Sequence, residues 1–350
     1  MRKLAATAAA GVLAAALIAP AVAVADGPEC DHYTHCYGIA NYNSGNIDAV
    51  GVDLWTDCLH LDTPLSDIAT HEIWLKTNET SSSPRKWIEA GYLRGKAAGG
   101  DPEVFFHLFW AEGDDAAGTF YSHFVQFASV ATWTNFTIRR LSGGSWGVYI
   151  DGTWRGTAVQ KPVYGRYVQV GGETTEPQVY SHGKSKNLQW HTSAGWSWAT
   201  PFNAAGTAGV YTATASGTTM EQTSLQNMCS PAPLTAKQSV KAPAMADVKK
   251  TALAMAAMHG EESPTGVEVV ATTRKAAQRA VGAGDQLDSD QQVHLVQLRG
   301  DFVGRAPQGE KLPRGSVLTV TVDAKTGKVT DTSLTGERQD LAKLGSVKTL

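Results

Sequence analysis

Short runs of aromatic and β-branched residues recur every ten to fifteen positions between residues 47 and 192, each closed by Gly, Asn, Asp or Ser. Runs this short, bounded by turn formers, read as strands. The candidates are 47–60, 71–77, 86–94, 103–112, 119–128, 134–141, 145–151, 166–173 and 186–192. Ser142-Gly143-Gly144 and Asp151-Gly152 have hairpin-turn composition. No helical period of useful length interrupts the series. About ten antiparallel strands in roughly 200 residues predict a mainly β fold, an antiparallel jelly-roll-type β-sandwich of concanavalin-like form.

Composition changes near residue 230. All ten Trp and all ten Tyr lie before it, and Lys, Ala, Val and Asp dominate after it. The joint is a Pro/Ala/Lys-rich stretch at 230–243, the composition of a semi-extended linker. The sandwich is therefore expected over 26–229 and a small α+β domain over 244–350. In the latter, Ala244–Met258 and Thr273–Val281 have helical spacing, the second with Thr272 as a candidate cap. Strands are expected at 267–271, 293–303, 316–323 and 328–333.

At the other end, Arg2 and Lys3 precede an Ala-rich apolar run that closes on Ala23-Val24-Ala25. Basic, apolar and small-x-small segments in that order form an export signal, so residues 1–25 are expected to be removed and the protein secreted to the extracellular side. Loss of two cations takes the formal charge from −3 to −5. Such a surface disfavours nucleic acid and anionic membranes as partners, and no later segment is apolar enough to span a bilayer.

Export also bears on the four cysteines, Cys30, Cys36, Cys58 and Cys229. An even count in an oxidising compartment favours two disulfides, with three pairings open. The preferred pairing is Cys30–Cys36 with Cys58–Cys229. No close C-x-x-C pair invites zinc, His71-Glu72 lacks the second His of H-E-x-x-H, and His107 and His123 occupy separate strands. No metal or other cofactor is expected. Gly143-Gly144-Ser145-Trp146-Gly147 matches G-x-S-x-G, but a nucleophile elbow must lead from strand to helix. Here it joins two strands and reads as a turn.

Two acidic residues stand out by strand period. In Trp87–Tyr92, Ile88, Ala90 and Tyr92 share one face, and Trp87, Glu89 and Gly91 the other. In Tyr167–Glu173, Val168 and Val170 oppose Tyr167, Gln169, Gly171 and Glu173. Each Glu thus points away from the aliphatic face of its strand, toward the side of a sandwich where clefts form.

The ordered set Glu72-Ile73-Trp74-Leu75, Trp87-Ile88-Glu89-Ala90-Gly91-Tyr92, Phe106-His107-Leu108-Phe109-Trp110, His123-Phe124-Val125-Gln126-Phe127 and Gly171-Gly172-Glu173 resembles the neprosin domain, a β-sandwich of glutamic peptidases. It covers roughly residues 38–195. The family's cysteine pair is missing, with Ser122 and His123 in that region, and the trailing α+β part has no counterpart in the plant members. The resemblance implies a catalytic pair at Glu89 and Glu173. Two carboxyls held close share a proton at acid pH, so one can take a proton from water while the other donates to a peptide carbonyl. Trp87, Tyr167 and Gln169, on the same faces, are candidate substrate-binding residues for a peptide or protein substrate. The alternative is a non-catalytic polysaccharide- or cell-wall-binding module, in which Trp74, Trp87, Trp110, Trp154, Trp190, Trp196 and Trp198 would stack on sugar rings.

Overall fold

The computed structural model describes residues 30–31, 33–61, 67–77, 85–95, 105–159, 164–201, 203–224, 242–282 and 289–350. The export signal at 1–25, Cys229 and most of the stretch at 230–243 lie outside the described residues. Fifteen strands precede the first described α-helix. They are β1 (Cys36–Ile47), β2 (Ala49–Leu61), β3 (Ile68–Thr77), β4 (Lys86–Gly95), β5 (Phe105–Asp114), β6 (Thr119–Phe127), β7 (Thr134–Arg140), β8 (Trp146–Ile150), β9 (Thr153–Ala158), β10 (Gly165–Thr174), β11 (Val179–Thr192), β12 (Gly195–Trp198), β13 (Asn203–Gly206), β14 (Tyr211–Ser216) and β15 (Thr219–Ser224). Then come α1 (Met245–Met258), β16 (Thr265–Thr273), α2 (Arg274–Ala280), β17 (Gln292–Val303), β18 (Arg314–Asp323), β19 (Val329–Thr335) and β20 (Lys348–Thr349).

The fold is mainly antiparallel β, a jelly-roll-type sandwich of two sheets. One runs β14-β15-β11-β2-β7-β8-β9, with β12 paired to β11. The other runs β13-β1-β10-β3-β4-β5-β6-β19-β18-β17-β16-β20. Alternation of side chains explains the layering. Ile73, Leu75, Ile88, Ala90, Tyr92, Val168 and Val170 of the larger sheet meet Val50, Val52, Leu54, Phe136, Ile138 and Val148 of the smaller in one buried core. The residues between them point to the other face of the larger sheet.

That other face is not open. Trp74, Trp87, Phe109, Phe120 and Phe124 pack in a second apolar cluster with Val248 and Met255 of α1 and with Phe302, Ala306, Leu318 and Leu334. The strands after residue 264 also extend the sandwich sheet, because β19 pairs with β6 over Asp331–Leu334. A change of composition can mark a new set of elements, but it carries no information about edge pairing, which is a backbone property.

Several local expectations change. The run at 47–60 is β2, and β1 precedes it with a Gly/Asn/Ser-rich sequence that carries little strand signal. Strands β9 and β13–β15 are polar or half-exposed and lack the aromatic runs that mark the others, and β12, Gly-Trp-Ser-Trp, is short and largely exposed. The cap of α2 is Thr273, not Thr272. Its backbone is still extended as the last residue of β16, and its side chain accepts from Ala276 N at 3.2 Å. Asp151 and Gly152, both at positive φ, form the two-residue turn between β8 and β9. Ser145 follows the tight turn between β7 and β8, with Leu141 N donating to its carbonyl at 2.7 Å.

Candidate active site

The centre of the larger sheet, β1-β10-β3-β4-β5, presents an acidic cluster on the face away from the sandwich core. In register, Glu173 of β10 lies across from Thr70 of β3, and Glu89 of β4 across from Trp74 of β3. Between them on β3 is Glu72, across from Gly171 on one side and Gly91 on the other. The three glutamates form a diagonal over three strands, and all are fully buried.

Each carboxyl has a distinct setting. Glu173 Oε1 meets His35 Nδ1 in a short contact, and Tyr37 OH lies 3.2 Å from the same oxygen. His35 is placed there by the Cys30–Cys36 disulfide, whose loop leads directly into β1. Glu89 Oε1 accepts from Arg305 Nη2 at 2.7 Å. The indoles of Trp74 and Trp87 also favour its ionised form, although neither N–H closes to a full hydrogen bond. Trp87 can lie flat because its partner across the strands is Gly113, where a Cβ would meet the indole ring at 2.0 Å. Among the described residues, Glu89 Oε2, Glu173 Oε2 and both oxygens of Glu72 have no hydrogen-bond partner. Buried acceptors left open in this way are uncommon and call for an explanation.

The electrostatics follow from burial. Desolvation and the Glu173 charge push the Glu89 carboxyl up, Arg305 and the two indoles pull it down, and it settles at about 7 against the ordinary 4.5. Glu72 is held well above the usual carboxylate range by burial and by the charges of Glu89 and Glu173. Burial and Glu173 keep the Tyr37 phenol protonated far beyond its ordinary range. Glu72 and Glu89 therefore feel each other's charge and that of Glu173, and the fold retains protons on these two at pH values where a free carboxyl would be ionised.

This has a measurable consequence for stability. Glu89 binds its proton more tightly folded than unfolded, so its contribution is fully present below about 4.5 and is lost as pH rises through about 7. At about 1.4 kcal/mol per pH unit, the loss is on the order of 3 kcal/mol. Glu89→Gln should therefore gain on wild type by that order between pH 4.5 and 7.5 in denaturant titrations. A stability difference that stays constant across this range would refute the assignment.

Of the expected substrate-binding residues, Trp87 and Gln169 are at the cluster. Gln169 Nε2 donates to Asn41 Oδ1 at 2.9 Å and to the Gln308 carbonyl at 3.2 Å. Tyr167 is half-buried further along β10, across from Lys76 and Asn43, with the Arg166 guanidinium 6.0 Å from its ring. His107 and His123 do not come together. His107 lies against Phe127, ring centroids 4.3 Å apart, whereas His123 stacks on Trp110 at 3.9 Å and contacts Asp331 at 2.9 Å. Cys58 is disulfide-bonded, but the proposed partner Cys229 lies outside the described residues. Glu72, His35, Tyr37 and Arg305 are members of the cluster that strand-period reasoning had not marked.

Neither a protein-family model nor a curated protein matches the chain. Among solved structures it resembles Scytalido-glutamic peptidase bound to a peptide-based transition state analogue, at 8% identity and a TM-score of 0.38, covering 54% of this chain and 98% of that one. It resembles SCP-B, a member of the Eqolisin family of peptidases in complex with the tripeptide Ala-Ile-His, at 8% identity and a TM-score of 0.35 over the same shares. A β-porphyranase from the human gut bacterium Bacteroides plebeius aligns at 9% identity and a TM-score of 0.17, over 39% of this chain and 64% of that one. Likenesses this remote assign no activity.

Proposed function

We propose that this protein is a secreted, neprosin-like glutamic endopeptidase acting at acid pH, with Glu89 and Glu173 as its working carboxyls. The supporting observation is that the face bearing these residues already holds a peptide backbone, that of residues 305–308 of the same chain. Tyr37 OH donates to the Ala306 carbonyl at 2.8 Å, and Gln169 Nε2 and Lys76 Nζ donate to the Gln308 carbonyl, each at 3.2 Å. A surface that pairs with main-chain carbonyls beside proton-holding carboxyls has the parts that peptide hydrolysis requires.

Glu89, raised to about 7, is the acid, and Glu173, through its open Oε2, the base. Glu173 takes a proton from water as the water oxygen bonds to the peptide carbon, and Glu89 protonates the carbonyl oxygen. The resulting gem-diol collapses as Glu173 passes its proton to the leaving nitrogen, the C–N bond breaks, and the diol proton returns to Glu89. Tyr37, held protonated, can donate to the carbonyl oxygen in transit. Action outside the cytoplasm belongs to the same reading and suits the Cys30–Cys36 disulfide.

Digestion of a peptide library from pH 3 to 7 by wild type and by the Arg305→Ala protein tests this, each with and without Glu89→Gln. Cleavage confined to the chains that keep Glu89 is expected. Equal cleavage with and without it would overturn the reading. The polysaccharide alternative finds no open Trp platform in this cleft, since Trp74 and Trp87 on this face are buried, Trp110 lies in the core between the sheets, and the exposed Trp154, Trp196 and Trp198 belong to strands of the smaller sheet.

A further inference from the structure

We propose that the loop joining β17 to β18, residues 304–313, is a built-in inhibitor that keeps the glutamate cleft closed. This rests on the peptidase reading and concerns its regulation. The loop enters the cleft at Arg305, which is buried and lies between Glu89 and two rings, its guanidinium 4.5 Å from the centroid of Phe109 and 5.4 Å from that of Phe120. Ala306 is fully buried, and its carbonyl takes the Tyr37 hydroxyl that also faces Glu173. Pro307–Glu310 then turns tightly, with Glu310 N donating to Pro307 O at 3.0 Å and Gly309 at φ +85°, as a type II turn requires. Glu310 anchors the far side through Lys76 at 2.6 Å and Arg85 at 3.2 Å.

The arrangement is hard to explain as a stability device. A buried ion pair seldom repays the cost of desolvating both charges unless every donor and acceptor is used. Here Arg305 Nη1 and Glu89 Oε2 are both buried without a hydrogen-bond partner among the described residues. What the pair does achieve is to engage one working carboxyl with a cation while the loop backbone fills the peptide-binding donors beside three fully buried glutamates. The loop is held at its base by α1 and by the pairing of β19 with β6. Release therefore requires only that the loop lift, with the sheet left intact.

The test uses the full chain carrying Arg305→Glu, which sets a fourth carboxylate against the cluster, and Arg305→Ala, which removes the pair with less risk to folding. Amide hydrogen exchange at residues 304–310 reports loop release, and cleavage of a quenched peptide library at acid pH reports activity. Faster exchange together with at least a tenfold rise in kcat/KM over wild type is expected, reversed by a synthetic peptide spanning residues 303–311. Equal cleavage by wild type and both variants overturns the inhibitor proposal and leaves the peptidase reading standing. Exchange that stays unchanged in both variants also overturns it. A released loop with no cleavage in any chain overturns the peptidase reading, and the inhibitor proposal falls with it.

Discussion

Glutamine at position 173 is expected to lower kcat for peptide hydrolysis by about 10²–10⁴, the range associated with losing one positioned proton-transfer group. The amide keeps the shape of the side chain and still accepts from Tyr37 at Oε1, so packing and substrate binding should change little. It cannot take a proton from water, and the atom that faces the cleft becomes an NH₂ donor. KM should therefore stay within a few-fold of the parent while kcat collapses, the pattern of an interaction made mainly in the transition state. The comparison belongs in the Arg305→Ala background, where the cleft is open, with circular dichroism to show that both chains are folded. Retained kcat in Glu173→Gln would remove Glu173 from the mechanism. If Glu72→Gln then showed the collapse instead, the pair would be Glu72 and Glu89, which are also electrostatically coupled.

The parts of this site legible in the sequence are those set by a strand's two-residue period. Glu89 alternates with Ile88 and Ala90, Glu173 lies an odd number of positions after Val168 and Val170, and the aliphatic sets are those that fill the core between the sheets. Glu72 carries the same signal, since it alternates with Ile73 and Leu75 and neighbours Trp74 on its own face. Set beside His71, it is easily weighed only as half of a metal motif. The remaining members follow no local rule. His35 and Tyr37 lie on a disulfide loop and a Gly/Asn-rich strand with weak propensity, and Arg305 reaches Glu89 across 216 residues. Strands rich in aromatics, such as β4, β5 and β6, are visible in composition. Strands β14 and β15, rich in Thr and Ser, become strands because β15 pairs with β11 and β14 with β15, and through packing of Tyr211 and Met220. The joining of β6 to β19 is likewise invisible, because either edge could have been capped by solvent.

Arg274→Met is expected to destabilise the protein by about 3–5 kcal/mol, the range seen when a buried carboxylate loses its cation, here with only the His123 contact left on it among the described residues. Asp331 of β19 is buried at the seam with β6, and Arg274, the first residue of α2, grips it with Nε and Nη2, each 2.8 Å from a carboxylate oxygen. His123 of β6 contacts the same carboxylate through Nδ1 at 2.9 Å. Burial alone would raise the Asp331 carboxyl, but the Arg274 charge and the hydrogen bonds from His123 and Arg274 outweigh it and hold the group well below the carboxylate range. A lowered folded value means stability that is present above the ordinary 3.8 and lost as pH falls toward the folded value. The Arg274→Met penalty should thus be full at pH 7 and shrink in strong acid, where Asp331 can be protonated. Adding Asp331→Asn removes the stranded charge and should recover much of the loss, so the two changes will be strongly non-additive. Denaturant titrations of the two single variants and the double variant measure this, and a loss below about 1 kcal/mol for Arg274→Met would show that the seam does not depend on the pair. Because the same seam holds the base of the 304–313 loop, Arg274→Met should also speed amide exchange at residues 304–310. Arg305→Ala, by contrast, should speed that exchange without weakening the β6–β19 seam. The two variants thereby separate detachment of the whole C-terminal strand set from lifting of the loop alone.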